Sequence, residues 1–421
     1  MTEEERDDAP AGPPSARTRL SAEEVADYLV EVGATLAAYG CPSYRLEDVV
    51  KAIAEVEGYT AAPFAMPTGF FVSVASPRHP APIQRMSRVI DRGVNLGRLA
   101  EVDAIFNDVV DKKIAIAEAR RRLVALEKRP SGYARWHKWL AIATVGGASG
   151  VFFGGGAVEA VAGACAGLCV NAIARLLARR ESGSFLVDFF GGLVAALVAG
   201  ATARFARGSS EVVVLAGVIG LVPGMTLTTG LAELARKSLV SGAARLMDAV
   251  VTLLFLVFGI ALAVGLGTLV GKAPAVDPAR VPLGPHFQAI ALLASSAAFA
   301  VLFSMPRRYF WAAMASGATG YAVTQVGRHL PPHLGAFAAA LGVCLFANLL
   351  ARWTKRPAQI FQLPGMMLLV PGSFGFLGFG DFLRGDVVAG ASKTFQMLLI
   401  AGALVVGVLL ANLVLPARKL L

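Results

Sequence analysis

Leu221-Val222-Pro223-Gly224 returns 148 residues later as Leu369-Val370-Pro371-Gly372, each time in the middle of an apolar run long enough to cross a bilayer. Proline removes a backbone donor and the glycine after it loosens the turn, so each motif predicts a spanning helix unwound near its middle. Backbone groups freed there are tolerable only inside protein or beside water. Each break also leaves the N-terminal end of a half-helix near the midplane, where free N–H groups and the positive end of the helix dipole favour a carboxylate. A kink that only improves helix packing is the plainer alternative.

The same shift, without a gap, lays Arg204 on Arg352, Leu215 on Leu363, Gly217 on Gly365, Glu233 on Asp381, Arg236 on Arg384, Gly242 on Gly390 and Arg245 on Lys393. A Pro-Gly pair can recur by chance, but a set of polar matches in one register points to internal duplication. Judged against the ~20 residues that a span needs, the apolar segments number ten: 139–158, 160–178, 184–205, 211–231, 246–271, 287–305, 309–326, 333–351, 358–380 and 394–416. The shift lays the first five on the last five. Five is odd, so if every segment crosses, the second unit lies upside down relative to the first, a hallmark of secondary transporters. A duplicated scaffold or sensor in the membrane is the bland rival.

The expected fold is therefore a mostly α membrane protein. Ten transmembrane helices form two inverted five-helix repeats, at 138–272 and 286–421, behind a small α+β soluble domain at 20–137 and a disordered tail at 1–19. With 56% hydrophobic residues, the chain is too apolar for a soluble globule. Through Lys138 there are 19 Lys+Arg against 20 Asp+Glu, and beyond it 20 against 9, so the net charge of +10 belongs to the membrane part. Basic loops between spans are what the positive-inside bias produces, and no nucleic-acid partner is expected. With a cytoplasmic N-terminus, Arg179, Arg180, Arg236, Lys237, Arg307, Arg308, Lys355, Arg356, Arg418 and Lys419 fall inside. Arg204, Arg207, Lys272, Arg280, Arg328, Arg384 and Lys393 fall outside or at that edge, so both termini are expected to be cytoplasmic.

Residues 1–14 are acidic and Pro-rich with no apolar core of a signal peptide. In the soluble domain, Val25, Leu29, Val32 and Leu36, then Leu46, Val49, Val50 and Ile53, have helical spacing on either side of a turn at Gly40-Cys41-Pro42-Ser43. Short strands are expected at Phe70–Val74 and Ile83–Val89, and helices at Leu96–Val110 and Ile114–Lys128.

The candidate substrate site is the pair of breaks: Pro223, Gly224, Pro371 and Gly372, with hydroxyls from Thr226, Thr228, Thr229 and Ser373. Asn171 and Asn348 are polar groups within spans that can contact substrate or bond between helices. Asp188, flanked by Phe185 to Phe190, is the carboxylate expected within a span and the candidate proton carrier, although Ser184 close by also allows an interfacial place. Glu233 and Asp381 follow their prolines by ten residues, about 15 Å along a helix. That puts them at opposite membrane edges as candidate gates, with Arg236 and Arg384 at i+3 as partners, or else as ordinary solvated helix ends.

Glycines at 146, 150 and 154, then 163 and 167, allow close helix approach. Gly265 to Lys272 lacks the spacing and the Ser or Thr of a phosphate loop, since Ala273 follows, so no nucleotide is expected. His329 and His333 alone do not make a metal site, and no cofactor is expected. Cys41 with His79 and Asp48 or Asp91 can be drawn as a hydrolase site in the soluble domain, but nothing in their spacing supports it.

The chain resembles the threonine/serine exporter family of bacterial membrane proteins from Leu20 onward. The resemblance rests on Gly40-Cys41-Pro42-Ser43-Tyr44-Arg45-Leu46-Glu47, on Pro67-Thr68-Gly69 followed by Phe70-Phe71-Val72, on the Leu96–Leu123 helices, on the two Val-Pro-Gly segments and on the ten spans. It implies a multi-pass inner-membrane exporter, not an enzyme, that moves threonine and serine by proton antiport. The substrate is thus a small amino acid or another carboxylate and the partners are protons and lipid; the oligomeric state stays open. Relatives split into two chains look like dicarboxylate exporters, and hydrolase-like features are suspected in the N-terminal domain.

Overall fold

The computed structural model describes residues 20–76, 79–90, 93–129, 132–180, 183–269, 282–327, 329–369 and 371–417. The tail at 1–19, Asp91, Lys272, Arg328, Val370, Arg418 and Lys419 lie outside them.

The N-terminal part is a two-layer α+β unit. Helix α1 (Ala22–Ala38) starts on a capping box in which Ser21 Oγ accepts from the Glu24 N–H and Glu24 returns the bond to the Ser21 N–H. It ends at Gly40, whose φ of +87° turns the chain towards α2 (Ser43–Val56). Three antiparallel strands follow, β1 (Thr60–Met66), β2 (Gly69–Ser76) and β3 (His79–Arg88), in the order β1-β2-β3. Two of these match the expected strands. The first, Thr60–Met66, was hidden by its three alanines and by Pro63, which an edge strand tolerates because one row of N–H groups has no partner to lose. Helix α1 packs on β2 and β3, and α2 on β1. Phe70 is fully buried against Gly33, where any side chain would collide with its ring. Helices α3 (Leu96–Val110) and α4 (Ile116–Lys128) complete the unit.

The rest is helical. The first set is α5 (Arg135–Phe152), α6 (Ala157–Leu177), α7 (Val187–Ala206), α8 (Ser210–Val218), α9 (Gly224–Ala235) and α10 (Leu239–Leu269). The second is α11 (Pro285–Leu302), α12 (Phe310–Val326), α13 (Pro332–Thr354), α14 (Gln359–Met366), α15 (Gly372–Leu383) and α16 (Val387–Val414). Helices α9 and α15 begin 148 residues apart and end 148 apart, and so do the starts of α10 and α16. Among the described residues, six helices are long and apolar enough to cross a membrane: α6, α7 with its preceding turn, α10, α11, α13 and α16. The other apolar segments are α5, α12 and two pairs of half-length helices, α8 with α9 and α14 with α15.

Packing repeats along with length. In the first set α7 lies on α10, α6 on α7 and α8, and α9 on α10; in the second α13 lies on α16, α12 on α13 and α14, and α15 on α16. The sets join through α5 on α11 and through α9 and α10 on α15, with α9 also on α16. The four-residue glycine spacing serves close approach: a methyl group on Gly150 would stand 2.6 Å from the Glu159 carbonyl, and one on Gly163 equally close to that of Gly146. One apolar core runs from the N-terminal unit into the second set, joining Leu46, Ile53, Leu96 and Leu99 to Ala300, Met305, Ala312, Leu350 and Phe361.

Candidate functional site

Both motifs interrupt their helices. The chain leaves α8 at Val218 and resumes at Gly224; it leaves α14 at Met366 and resumes at Gly372. Pro223 and Pro371 occupy the N-cap positions with nearly the same backbone, φ −82° and ψ 42° against φ −82° and ψ 23°. A missing N–H costs least there, because the first turn has no partner inside the helix. The two breaks touch. A methyl group on Gly372 would lie 3.4 Å from the Cα of Gly224 and collide with Val222, so only hydrogen fits where the breaks cross.

This junction gathers Pro223, Gly224, Pro371 and Gly372, all buried, with the half-buried Thr226, Thr229 and Ser373 in the first two turns beyond. Gly224 bends its N–H back to the Val222 carbonyl at 2.8 Å. The Thr228 hydroxyl is spent within its own helix, donating to the Gly224 carbonyl at 3.0 Å. Beside the first break lies a cavity of about 240 Å3, bounded by α5, α6 and α11 and floored by Ile219, Gly220 and Leu221. Asn171 lines it, and its amide nitrogen Nδ2 is buried without a hydrogen-bond partner, while its Oδ1 accepts from Arg175 Nε at 3.4 Å. A buried donor left unmatched beside an unwound backbone suits an anionic or carbonyl group arriving from outside the chain.

Asn348 stands elsewhere. Its Nδ2 donates to Asn412 Oδ1 at 3.0 Å and to the Leu415 carbonyl at 2.9 Å, tying α13 to the end of α16. Asp188 sits in the first turn of α7, half-buried, where its carboxylate accepts from the Thr252 hydroxyl of α10 at 3.2 Å.

Glu233 is fully buried and Asp381 nearly so, 0% and 6% exposed, which removes the reading as ordinary solvated helix ends. Asp381 pairs with Arg384 Nη2 at 2.7 Å, as the i+3 spacing implies, and with Lys393 Nζ at 2.6 Å. Glu233 differs from expectation. Its ion-pair partner is Arg245, with Nε at 3.0 Å, and it also accepts from the Ser241 hydroxyl at 2.7 Å and the Ser43 N–H at 3.0 Å. Arg236 turns away to lie over the Tyr44 ring, 4.2 Å from its centre, because the N-terminal unit supplies an aromatic face there. Ser43, Tyr44 and Ser241 were invisible as site residues; the 148-residue match of Arg245 to Lys393 was the one available signal for that pair.

Cys41 is 1% exposed, its Sγ contacts the Pro42 carbonyl at 3.7 Å, and burial pushes its thiol up to about 12, so it holds no thiolate at neutral pH. Asp91 and the side chain of His79 lie outside the described residues. Asp48 is on α2, and burial raises the carboxyl of its neighbour Glu47, which accepts from the Ala65 N–H at 3.0 Å and so ties α2 to β1. The arrangement at Cys41 is a packed turn.

Two family profiles match the chain, one described as "Putative threonine/serine exporter" over residues 27–267 and one as "Threonine/Serine exporter, ThrE" over residues 288–414. A "Probable threonine/serine exporter" of Mycobacterium tuberculosis is 27% identical over 352 residues, covering 77% of this chain and 63% of that protein. "Pheromone-regulated membrane protein 10" of Eremothecium gossypii is 27% identical over 357 residues, covering 79% of this chain and 46% of that one. Its namesake in Yarrowia lipolytica is 26% identical over 401 residues, covering 88% and 31%. The chain thus spans between about a third and two thirds of the length of these curated relatives. No solved structure matches.

Proposed function

The chain belongs to the threonine/serine exporter family, and on that premise we propose that it exports threonine and serine as a secondary transporter, with the substrate held at the crossing of the two helix breaks. The observation that carries this is the contact of Gly372 with Gly224, which brings two half-helix N-termini to one point. The positive dipole ends of the two half-helices and their first-turn N–H groups suit the substrate carboxylate. The unmatched Nδ2 of Asn171 supplies a further donor beside the first break.

In this reading each set crosses the membrane five times, the two sets are inverted, and they exchange access by rocking about the breaks. The contacts of the soluble unit support that count. It touches the last turn of α9 through Glu233, the turn after α11 through Phe303 and Ser304, and the turn after α13 through Arg356. Ten crossings put all three on the side of the N-terminus, and Asp381 with Lys393 on the other. The side bearing the soluble unit is taken as the cytoplasm of the cell, with the bundle in its inner membrane. Asp188, bonded to Thr252, is the candidate proton carrier, and Glu233 and Asp381 are the gate carboxylates.

Proteoliposomes holding the full chain test the reading. Labelled threonine or serine should move against an imposed proton gradient, and flux that ignores the gradient would remove the antiport. Flux of dicarboxylates in place of both amino acids would transfer the site to the alternative substrate class. The described residues at the breaks are neutral, so a second carboxylate would find no charged partner there.

A further inference from the structure

Helix α2 starts without a cap of its own: Pro42 is at the N-cap and offers no side-chain acceptor. The first-turn N–H groups need an acceptor from outside. For Ser43 that acceptor is Glu233 Oε1, 190 residues away in sequence. The Ser43 hydroxyl lies 2.6 Å from that of Ser241, which in turn donates to Glu233 Oε2. Tyr44, the next residue, lies beneath Arg236. Ser43 is 3% exposed, so the junction is dry, and the positive end of the α2 dipole meets a carboxylate.

Asp381, at the matching place in the second set, is held by cations of its own hairpin, Arg384 on the turn and Lys393 on α16. The two turns thus share an ion-pair frame, and in the first set the soluble unit completes it.

The soluble unit also holds the other set, through a continuous apolar core. Its core continues into Ala300, Met305, Ala312, Leu350 and Phe361, and Leu96 and Gly97 donate their N–H groups to the Phe303 and Ser304 carbonyls at 2.8 and 3.1 Å. It therefore straps α9–α10 to α11–α14. Rocking one set against the other must open one of these attachments. The attachment to α11–α14 is a continuous apolar core and the one at Glu233 is polar, so the contact at Glu233 is the one to yield.

Resting on the exporter reading above, we infer that Ser43 is a positioning residue of the Glu233 gate: docked α2 holds the α9–α10 hairpin shut, and opening on the side of the soluble unit requires α2 to leave. Helix α9 begins at Gly224, so its release also frees that glycine from Gly372 at the midplane.

The test uses the full chain in proteoliposomes with Cys41→Ala, Ser43→Cys and Ser241→Cys. Hydroxyls 2.6 Å apart place the replacing thiols within reach of a disulfide. Oxidation with copper phenanthroline should cut threonine flux at least tenfold, and reductant should restore it; equal flux in the two forms overturns the inference. A second measurement does not depend on flux. With Cys41→Ala and Ser43→Cys alone, maleimide capture at position 43, read by mass spectrometry, should be slow and should rise at least fivefold when Glu233→Gln is added. An unchanged rate overturns the docking. If no amino acid moves even with the unsubstituted chain, the exporter reading fails while the capture rate still decides the inference.

Discussion

Arg245 and Lys393 hold the same station 148 residues apart: each reaches from the second turn of a long helix to a buried carboxylate on the half-helix before it, Arg245 to Glu233 at 3.0 Å and Lys393 to Asp381 at 2.6 Å. Their surroundings differ, and so should the effect of losing them. Arg245→Met leaves a fully buried carboxylate without its ion-pair partner, a change that costs about 3–5 kcal/mol. Lys393→Met leaves Asp381 still paired with Arg384. Thermal unfolding in detergent should show a larger drop in Tm for Arg245→Met, and the reverse order would contradict the assigned pairing.

At the crossing, Gly372→Ala forces a methyl group into Val222. Flux should fall at least tenfold while membrane insertion stays intact. Gly402→Ala, placed where nothing lies within 4 Å, should leave flux within twofold.

Restoring helix-forming residues at the breaks tests whether unwinding is used. Pro223→Ala and Pro371→Ala should each lower flux more than they lower the amount of inserted protein, because alanine permits the helix to close over the site. Equal losses of flux and protein would return the breaks to a packing role.

The two asparagines should separate binding from stability. Asn171→Leu removes the free donor beside the first break and should raise KM about tenfold, equivalent to ~1.4 kcal/mol, with little change in Tm. Asn348→Leu strands the Asn412 and Leu415 acceptors, so it should lower Tm and leave KM alone. A rise in KM for Asn348→Leu instead would bring that residue back to the substrate.

The Cys41 thiol gives a pH signature. Its folded value, about 12, lies above the ordinary 9.0. The folded chain therefore keeps a proton that the unfolded chain loses, and the stability this thiol contributes is complete below pH 9 and is lost as pH rises towards 12. Cys41→Ala should flatten the fall in Tm over that alkaline window and leave the curve at pH 6–8 unchanged in shape.

Much of this was legible from Pro223 and Pro371, since a proline in an apolar run has few places to go and the 148-residue register carried the pairing of lengths with it. Asp381 with Arg384 was also local, at i+3. Ser43 with Glu233 was not, because a bond across 190 residues leaves no periodicity, and the serine follows a proline in what reads as a plain turn. Arg236 was assigned to Glu233 by the same local logic that succeeded for Arg384, and it failed because Tyr44 arrives from another part of the chain. Among the described residues six helices met the length and hydropathy expected of a span; the breaks themselves shorten two more pairs below it.

The shared core has a consequence for synthesis. Leu46, Leu96 and Leu99 leave the ribosome early, yet part of what covers them, from Ala300 to Phe361, is made about 200 residues later. At roughly 5–20 residues per second, the N-terminal helices wait on the order of ten seconds or more with apolar surface uncovered while the membrane helices between are inserted. The order of manufacture is thus the reverse of the order of completion, and the soluble unit reaches its final packing only when the second set of helices closes it from above.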